Sequence, residues 1–126
     1  MFGTSEVLAS FSVDDISAAK QFYGDTLGLD VSGASDEPGP LWLQVAGERR
    51  VMVYLKPDHT AATYTVLNFV VDDIEQAVED IVARGVRIDT FDAYESDARG
   101  IHRADGFSVA WFRDPAGNVL SVIQER

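Results

Sequence analysis

Few side chains in this chain could carry chemistry. Histidine occurs twice, as His59 and His102, and cysteine is absent, which excludes disulfides, thiolate metal sites and cysteine nucleophiles. His102 stands in a polar stretch with Tyr94, Glu95, Asp97, Arg99, Arg103 and Asp105, bounded by Gly100 and Gly106. A carboxylate beside an imidazole tunes it for proton transfer near neutral pH. His102, Asp105 and Tyr54 are therefore the candidate proton carriers. The same stretch also reads as a solvated polar loop, and the sequence leaves both readings open. His59, between Asp58 and Thr60, is expected to be a solvated turn residue. Trp42 and Trp111 either fill a core or line a cavity. No Gly-rich phosphate loop, nucleophile elbow or zinc-binding helix motif occurs.

The elements that must hold these residues follow from a repeat. Phe11-Ser-Val-Asp-Asp-Ile-Ser-Ala-Ala19 lies over Phe69-Val-Val-Asp-Asp-Ile-Glu-Gln-Ala77 at a spacing of 69 − 11 = 58, with six of nine positions identical. Leu41-Trp-Leu-Gln44 lies over Ala110-Trp-Phe-Arg113 at 111 − 42 = 69, and the same spacing sets Val51 to Leu55 over Leu120 to Gln124. The second half thus holds 69 − 58 = 11 extra residues between the blocks, in the His102 region. Each half starts with a strand, Val7 to Val13 or Tyr64 to Val71, that runs into two aspartates. Asp14 or Asp15, and Asp72 or Asp73, suit a helix N-cap, where a carboxylate accepts free amide hydrogens. Apolar residues then recur at helical spacing up to the stops Gly28 and Gly85. Three further strands are expected in each half: Leu29 to Ser32, Leu41 to Ala46 and Val51 to Lys56, then Val86 to Phe91, Ser108 to Arg113 and Val119 to Gln124. Ala46 to Arg49 and Asp114 to Asn118 read as hairpin turns. Ser32 to Pro40 reads as a surface loop and Lys56 to Ala62 as the linker between halves. The fold class is α+β, two tandem βαβββ modules at 5–57 and 63–126 within a single domain, 1–126.

Strand side chains alternate between faces. Phe11 and Val13 should meet the first helix, as Leu67, Phe69 and Val71 should meet the second. The opposite, helix-free face collects Leu8, Ser10, Ser12, Trp42, Gln44, Met52, Tyr54, Val66, Asn68, Val70, Val109, Trp111, Val119, Ser121 and Ile123. Burying so apolar a surface is worth roughly 25 cal/mol per Å², so the halves are expected to close on one another or on a second chain. Two tryptophans on this face, beside Ser10, Gln44, Tyr54, Asn68 and Ser121, fit an apolar cavity with a few hydrogen-bonding groups.

Acidic residues outnumber basic ones 21 to 10, a net charge of −11 over 126 residues. Such a surface repels phosphate backbones and anionic lipid, so nucleic acid and membrane are not expected partners. No apolar run long enough to span a bilayer occurs and Met1 to Leu8 does not read as a secretory signal, so a cytoplasmic location is expected.

The order of these blocks resembles the vicinal oxygen chelate superfamily, which includes glyoxalase I, extradiol dioxygenases and bleomycin-resistance proteins. The resemblance rests on Val13-Asp-Asp-Ile with Phe22-Tyr23 and Leu27-Gly28, on Val71-Asp-Asp-Ile with Ala83-Arg-Gly-Val86, and on Trp111-Phe-Arg-Asp-Pro-Ala-Gly-Asn118. It implies a glyoxalase/bleomycin-resistance fold, with the modules forming a curved mixed sheet around a cavity. The family's metal ligands fall here on Leu8, Met52, Val66 and Ser121, none of them an imidazole or carboxylate. The resemblance therefore implies no metal and no cofactor. It points to a protein that sequesters an aromatic or cationic small molecule, as a homodimer, through Ser10, Trp42, Gln44, Tyr54, Asn68, Trp111 and Ser121. The alternative is a lyase- or isomerase-like enzyme using the His102 segment for acid/base chemistry.

Overall fold

The computed structural model describes residues 1–34 and 39–126. Pro38, in the expected Ser32–Pro40 loop, lies outside the described residues, as do 35–37. The chain divides into two units, Met1–His59 and Thr60–Arg126.

The first unit contains strand β1 (Ser10–Val13), helix α1 (Ile16–Gln21) and strands β2 (Asp30–Gly33), β3 (Leu41–Val45) and β4 (Arg49–Leu55). They form one sheet in the order β1-β4-β3-β2, parallel between β1 and β4 and antiparallel elsewhere. The second unit repeats the plan with β5 (Thr65–Val70), α2 (Ile74–Ala83), β6 (His102–Ala104), β7 (Phe107–Arg113) and β8 (Val119–Glu125), in the order β5-β8-β7-β6. The α+β class and its doubled module are therefore present as expected.

Sheet register carries the duplication down to single residues. Ser10 pairs with Met52 and Met52 with Trp42, while Asn68 pairs with Ser121 and Ser121 with Trp111. Those are the partners that the spacings of 58 and 69 require. At the outer edge Ser32 pairs with Trp42, and an isolated bridge joins Asp89 to Trp111.

In each unit the second aspartate of the pair is the helix cap. Asp15 Oδ1 accepts from the Ala18 amide at 3.0 Å, and Asp73 Oδ1 from the Gln76 amide at 3.1 Å. The Gln124 side chain reaches from β8 to accept from the Ile74 amide at 2.9 Å, satisfying another open donor of α2. Phe11, Val13, Leu41, Leu43 and Val53 form the first core around fully buried Tyr23. Ile74 and Val78 of α2 are buried in the second unit, as are Ala110, Phe112, Leu120 and Val122 of β7 and β8.

Several expected elements differ. β1 starts at Ser10, where its parallel ladder with β4 begins at Met52, leaving Val7 91% exposed. α1 does not continue as a regular helix to Leu27. Phe22–Thr26 forms a π-helical turn closed by the Leu27 amide on the Phe22 carbonyl at 2.9 Å, an arrangement that accommodates one extra residue per turn. Gly24 in that turn sits so close to Val31 that an added Cβ would stand 3.1 Å from its Cγ2. Gly33, expected in the loop, extends β2, which starts at Asp30 rather than Leu29.

The largest difference is at Val86 to Phe91, expected as a strand and reduced to the single Asp89–Trp111 bridge. The edge of β7 is taken instead by β6, so the 11 extra residues leave the edge after Asp89 and return to it at His102. A hairpin closed by two residues, Asp105 and Gly106 (φ +85°), costs less loop entropy than a distant pairing.

Candidate functional site

The helix-free faces expected from alternation are assembled by register. On the first sheet, the Ser10–Met52–Trp42–Ser32 row lies beside the pairing of Arg50 with Gln44 and of Gln44 with Asp30. Ser10, Gln44, Tyr54 and Arg50 are exposed, and Trp42 and Met52 half-buried. The Arg50 guanidinium carbon lies 3.9 Å from the centre of the Trp42 ring. Sequence reasoning named Trp42, Gln44, Met52 and Tyr54 but missed Arg50, which sits two residues before Met52 and shares its face by the same alternation. One face of the indole thus carries this chain's own guanidinium.

His59 is also placed differently from expectation. The turn Lys56–His59, closed by the His59 amide on the Lys56 carbonyl at 2.9 Å, folds the ring back to β1, where Nδ1 lies 2.6 Å from Ser12 Oγ. The residue is half-buried rather than solvated. Pro57-Asp58 immediately after a strand is the turn signal that could have found it. Lys56 Nζ donates to Asp58 at 2.6 Å, and this bond together with the lysine's charge holds the Asp58 carboxyl below its ordinary value.

On the second sheet the row is Asn68–Ser121–Trp111–Asp89. Ser121 is fully buried and donates to Asn68 Oδ1 at 2.6 Å. Trp111 meets Phe91 edge-on at 5.2 Å between ring centres, Tyr94 at 5.3 Å and His102 at 6.1 Å. Phe91 and Tyr94 come from the extra segment, so the second indole is also engaged from within. Arg113 Nε donates to Asp89 Oδ2 at 2.5 Å and its Nη1 to the Gly117 carbonyl at 3.3 Å.

His102 lies on strand β6, not in a loop, and by register with Val109 it shares the Trp111 face. Its Nδ1 is 2.6 Å from the Glu95 carbonyl oxygen. A carbonyl only accepts, so Nδ1 carries a hydrogen and the neutral ring keeps its free lone pair on Nε2. The three expected proton carriers fall on different elements. Asp105 is an exposed turn residue and Tyr54 belongs to the first unit.

The extra segment is anchored on its other side. Asp97 Oδ1 accepts from the Arg99 and Ile101 amides at 2.9 and 3.0 Å. Arg99 pairs with Glu79 at 2.8 Å, and Arg103 with Glu75 at 2.9 Å and Asp97 at 3.4 Å. Burial alone would raise the Asp97 carboxyl. The two amides and the Arg103 charge outweigh it and hold the group below its ordinary value. Gly100 (φ +87°) fits against Ile88 so closely that an added Cβ would lie 2.5 Å from its Cγ2. Between this turn and α2 runs an open groove of about 570 Å³ floored by Val78, Val82, Val86 and Ile88. None of the sequence-expected site residues lines it.

The hairpin β7–β8 turns through a buried carboxylate. Asp114 Oδ1 accepts from the Ala116 and Asn118 amides, both at 2.9 Å, and Oδ2 from Asn118 Nδ2 at 3.0 Å. With this turn, the two capped helices and the doubled register on the page, the match to a known family is decisive: the family model Glyoxalase/Bleomycin resistance protein/Dioxygenase superfamily covers residues 7–122. The chain belongs to that superfamily. Among solved structures, the glyoxalase/bleomycin-resistance fold of this chain is similar to that of TnmS3, an antibiotic-binding protein from Streptomyces sp. CB03234. Identity is 25% over 98% of both chains, with a TM-score of 0.72. A protein of Bacillus anthracis assigned to the glyoxalase family is 17% identical over 100% of both chains, also with a TM-score of 0.72. Lactoylglutathione lyase from Agrobacterium tumefaciens is 18% identical over 95% of this chain and 93% of its own, with a TM-score of 0.65. No curated protein matches the sequence significantly.

Glyoxalase-superfamily metal chemistry would need donors at Leu8, Met52, Val66 and Ser121. The residues present do not fit a hard or borderline divalent ion. Leu8 lies outside β1 and Val66 falls at a register shift of β5; both end in alkyl groups. Met52 offers only a soft thioether, and the Ser121 hydroxyl is already committed to Asn68. Among the described residues no three His, Asp or Glu side chains form a group able to hold a metal ion. No helix among them is long and apolar enough to cross a membrane.

Proposed function

We propose that this superfamily member is a metal-free binding protein that sequesters a planar small molecule on the helix-free face of its first sheet. The observation that carries the reading is the Trp42 row: a half-buried indole with its guanidinium cover, flanked by the exposed polar side chains of Ser10, Ser32 and Gln44. An aromatic surface with a few fixed hydrogen-bonding groups is the usual make-up of a small-molecule site. The antibiotic-binding activity of TnmS3, 25% identical over nearly the whole length, supports a binding rather than a catalytic role. The alkyl, thioether and hydroxyl groups at the metal positions support it further.

The test is metal analysis of the purified protein followed by a screen of planar compounds read by tryptophan emission. One equivalent of tightly held zinc, nickel or iron overturns the metal-free part. A screen in which no planar compound perturbs Trp42 in a Trp111→Phe background overturns the binding part. Homodimer formation belongs to the same reading, since apolar residues on the helix-free faces favour association; sedimentation that finds only monomer at micromolar concentration removes it.

A second reading has one observation in its favour. The fixed Nδ1–H of His102 directs its Nε2 to proton transfer, so an acid/base enzyme would lose turnover in His102→Gln, whereas a binding protein would keep its ligand affinity.

A further inference from the structure

Each unit has an arginine beside its tryptophan row, at positions that are not repeat equivalents: by the spacing of 69, Arg113 answers to Gln44 and Arg50 to Val119. In the second unit Arg113 has an internal carboxylate: Asp89, bridged to Trp111 at the sheet edge, takes its Nε–H at 2.5 Å. In the first unit the residue occupying the place of Asp89, bridged to Trp42, is Ser32. Arg50, spread over Trp42, has no ion pair among the described residues, although the chain carries 21 acidic side chains against 10 basic ones. Asp30 lies in the Arg50–Gln44 register but two strands away, about 10 Å.

A guanidinium stacked on an indole keeps its in-plane N–H groups pointing outward, and that fork matches a planar oxyanion with two parallel hydrogen bonds. The stack also fixes the side chain beforehand, which lowers the entropy lost on binding. We infer that the first sheet recognises a planar aromatic carboxylate, its carboxylate taken by Arg50 and its ring lying on the Trp42 row beside Ser32 and Gln44. The ligand supplies the negative group that Arg50 does not find among the described residues. This inference rests on the binding reading above and narrows its ligand class from planar to planar, aromatic and anionic. Specificity comes from local charge, because the net charge of −11 otherwise disfavours anions.

Calorimetric titration of the full chain with 2-naphthoate and with 2-naphthamide, the same ring without the charge, tests it. The expected result is naphthoate binding at least tenfold tighter than the amide. Arg50→Gln should abolish the difference, so that the two probes bind with equal affinity. Gln44→Glu, which sets a carboxylate directly across from Arg50 on the neighbouring strand, should remove most of the preference for naphthoate over the amide. Both positions are exposed, and a circular dichroism spectrum and melting temperature matching the parent establish that each variant folds. Equal affinity for the two probes overturns the carboxylate assignment and leaves aromatic binding standing. Tight naphthoate binding that survives Arg50→Gln overturns the role of Arg50, and binding of neither probe overturns this inference together with the reading beneath it.

Discussion

In the first unit Trp42 has the Arg50 guanidinium above it and polar side chains around it, whereas Trp111 of the second unit is held among Phe91, Tyr94 and His102. Both indoles occupy the same position in the same ladder. What differs is their neighbours on β4 and β8: Arg50 is exposed and Met52 half-buried, while their counterparts Val119 and Ser121 are buried to 3% and 0% exposure. A duplicated framework has thus produced one face kept polar and accessible and one face closed by its own aromatics. The 11 extra residues deliver Phe91 and Tyr94 on the Trp111 side and tie back to α2 through Glu75 and Glu79. Duplication sets backbone register, and insertions and single exchanges then decide which copy stays open.

The strongest way to break this contrast is at the β7–β8 turn, which has no counterpart of equal strength in the first unit. Asp114→Ala leaves the Ala116 and Asn118 donors without their acceptor in a buried site, and is expected to cost about 3 to 5 kcal/mol of stability. Urea denaturation checks it; a loss below about 1 kcal/mol would mean that the carboxylate is dispensable. Next in size, the two tryptophans should separate. Trp111→Ala is expected to cost about 3 kcal/mol because three aromatic neighbours lose their partner, and Trp42→Ala about 1 kcal/mol, the scale of a stacked guanidinium. Equal losses in the two variants would erase the distinction between a closed and an open face.

The smallest effect concerns pH. The folded Asp97 carboxyl lies below its unfolded value of about 3.9, so its contribution is present above that value and is lost as pH falls through the lower, folded one. Acidification should therefore release the Arg99 and Ile101 amides before the rest of the second unit, and Asp97→Asn should remove this acid step. Amide NMR spectra taken between pH 5 and pH 2 follow it directly. Unchanged Arg99 and Ile101 signals throughout would show that the carboxylate does not hold the turn.

The doubled module was legible because it depends on short-range patterns: two spacings and a period of two place Ser10, Trp42 and Met52 on one face, while their pairing in one row comes from the strand register of the fold. The choice of Asp15 over Asp14 and of Asp73 over Asp72 was not legible, since either carboxylate could cap the helix until the backbone is fixed. The broken edge strand at Val86 to Phe91 was missed because β propensity reports what a segment tolerates, while a nearby hairpin decides what it pairs with. Arg50 was missed although its parity was available. Its stacking on Trp42 crosses the β3–β4 hairpin and depends on the conformation of the arginine side chain, which parity does not reveal. His59 was read as solvated because its partner, Ser12, lies 47 positions away.

The Asp114 turn has a consequence in time as well as in energy. It closes β7 on β8 over a few residues and is fastened by bonds from Asp114 to the Ala116 and Asn118 amides within the turn, so this hairpin has the means to form on the microsecond scale before β5 arrives. β5 must instead find β8 from Asn68 to Ser121, a separation of 121 − 68 = 53 residues, and parallel pairing over such a span is slow. The second unit is thus expected to assemble from its C-terminal end backwards, with the first strand in the sequence the last to arrive in the sheet.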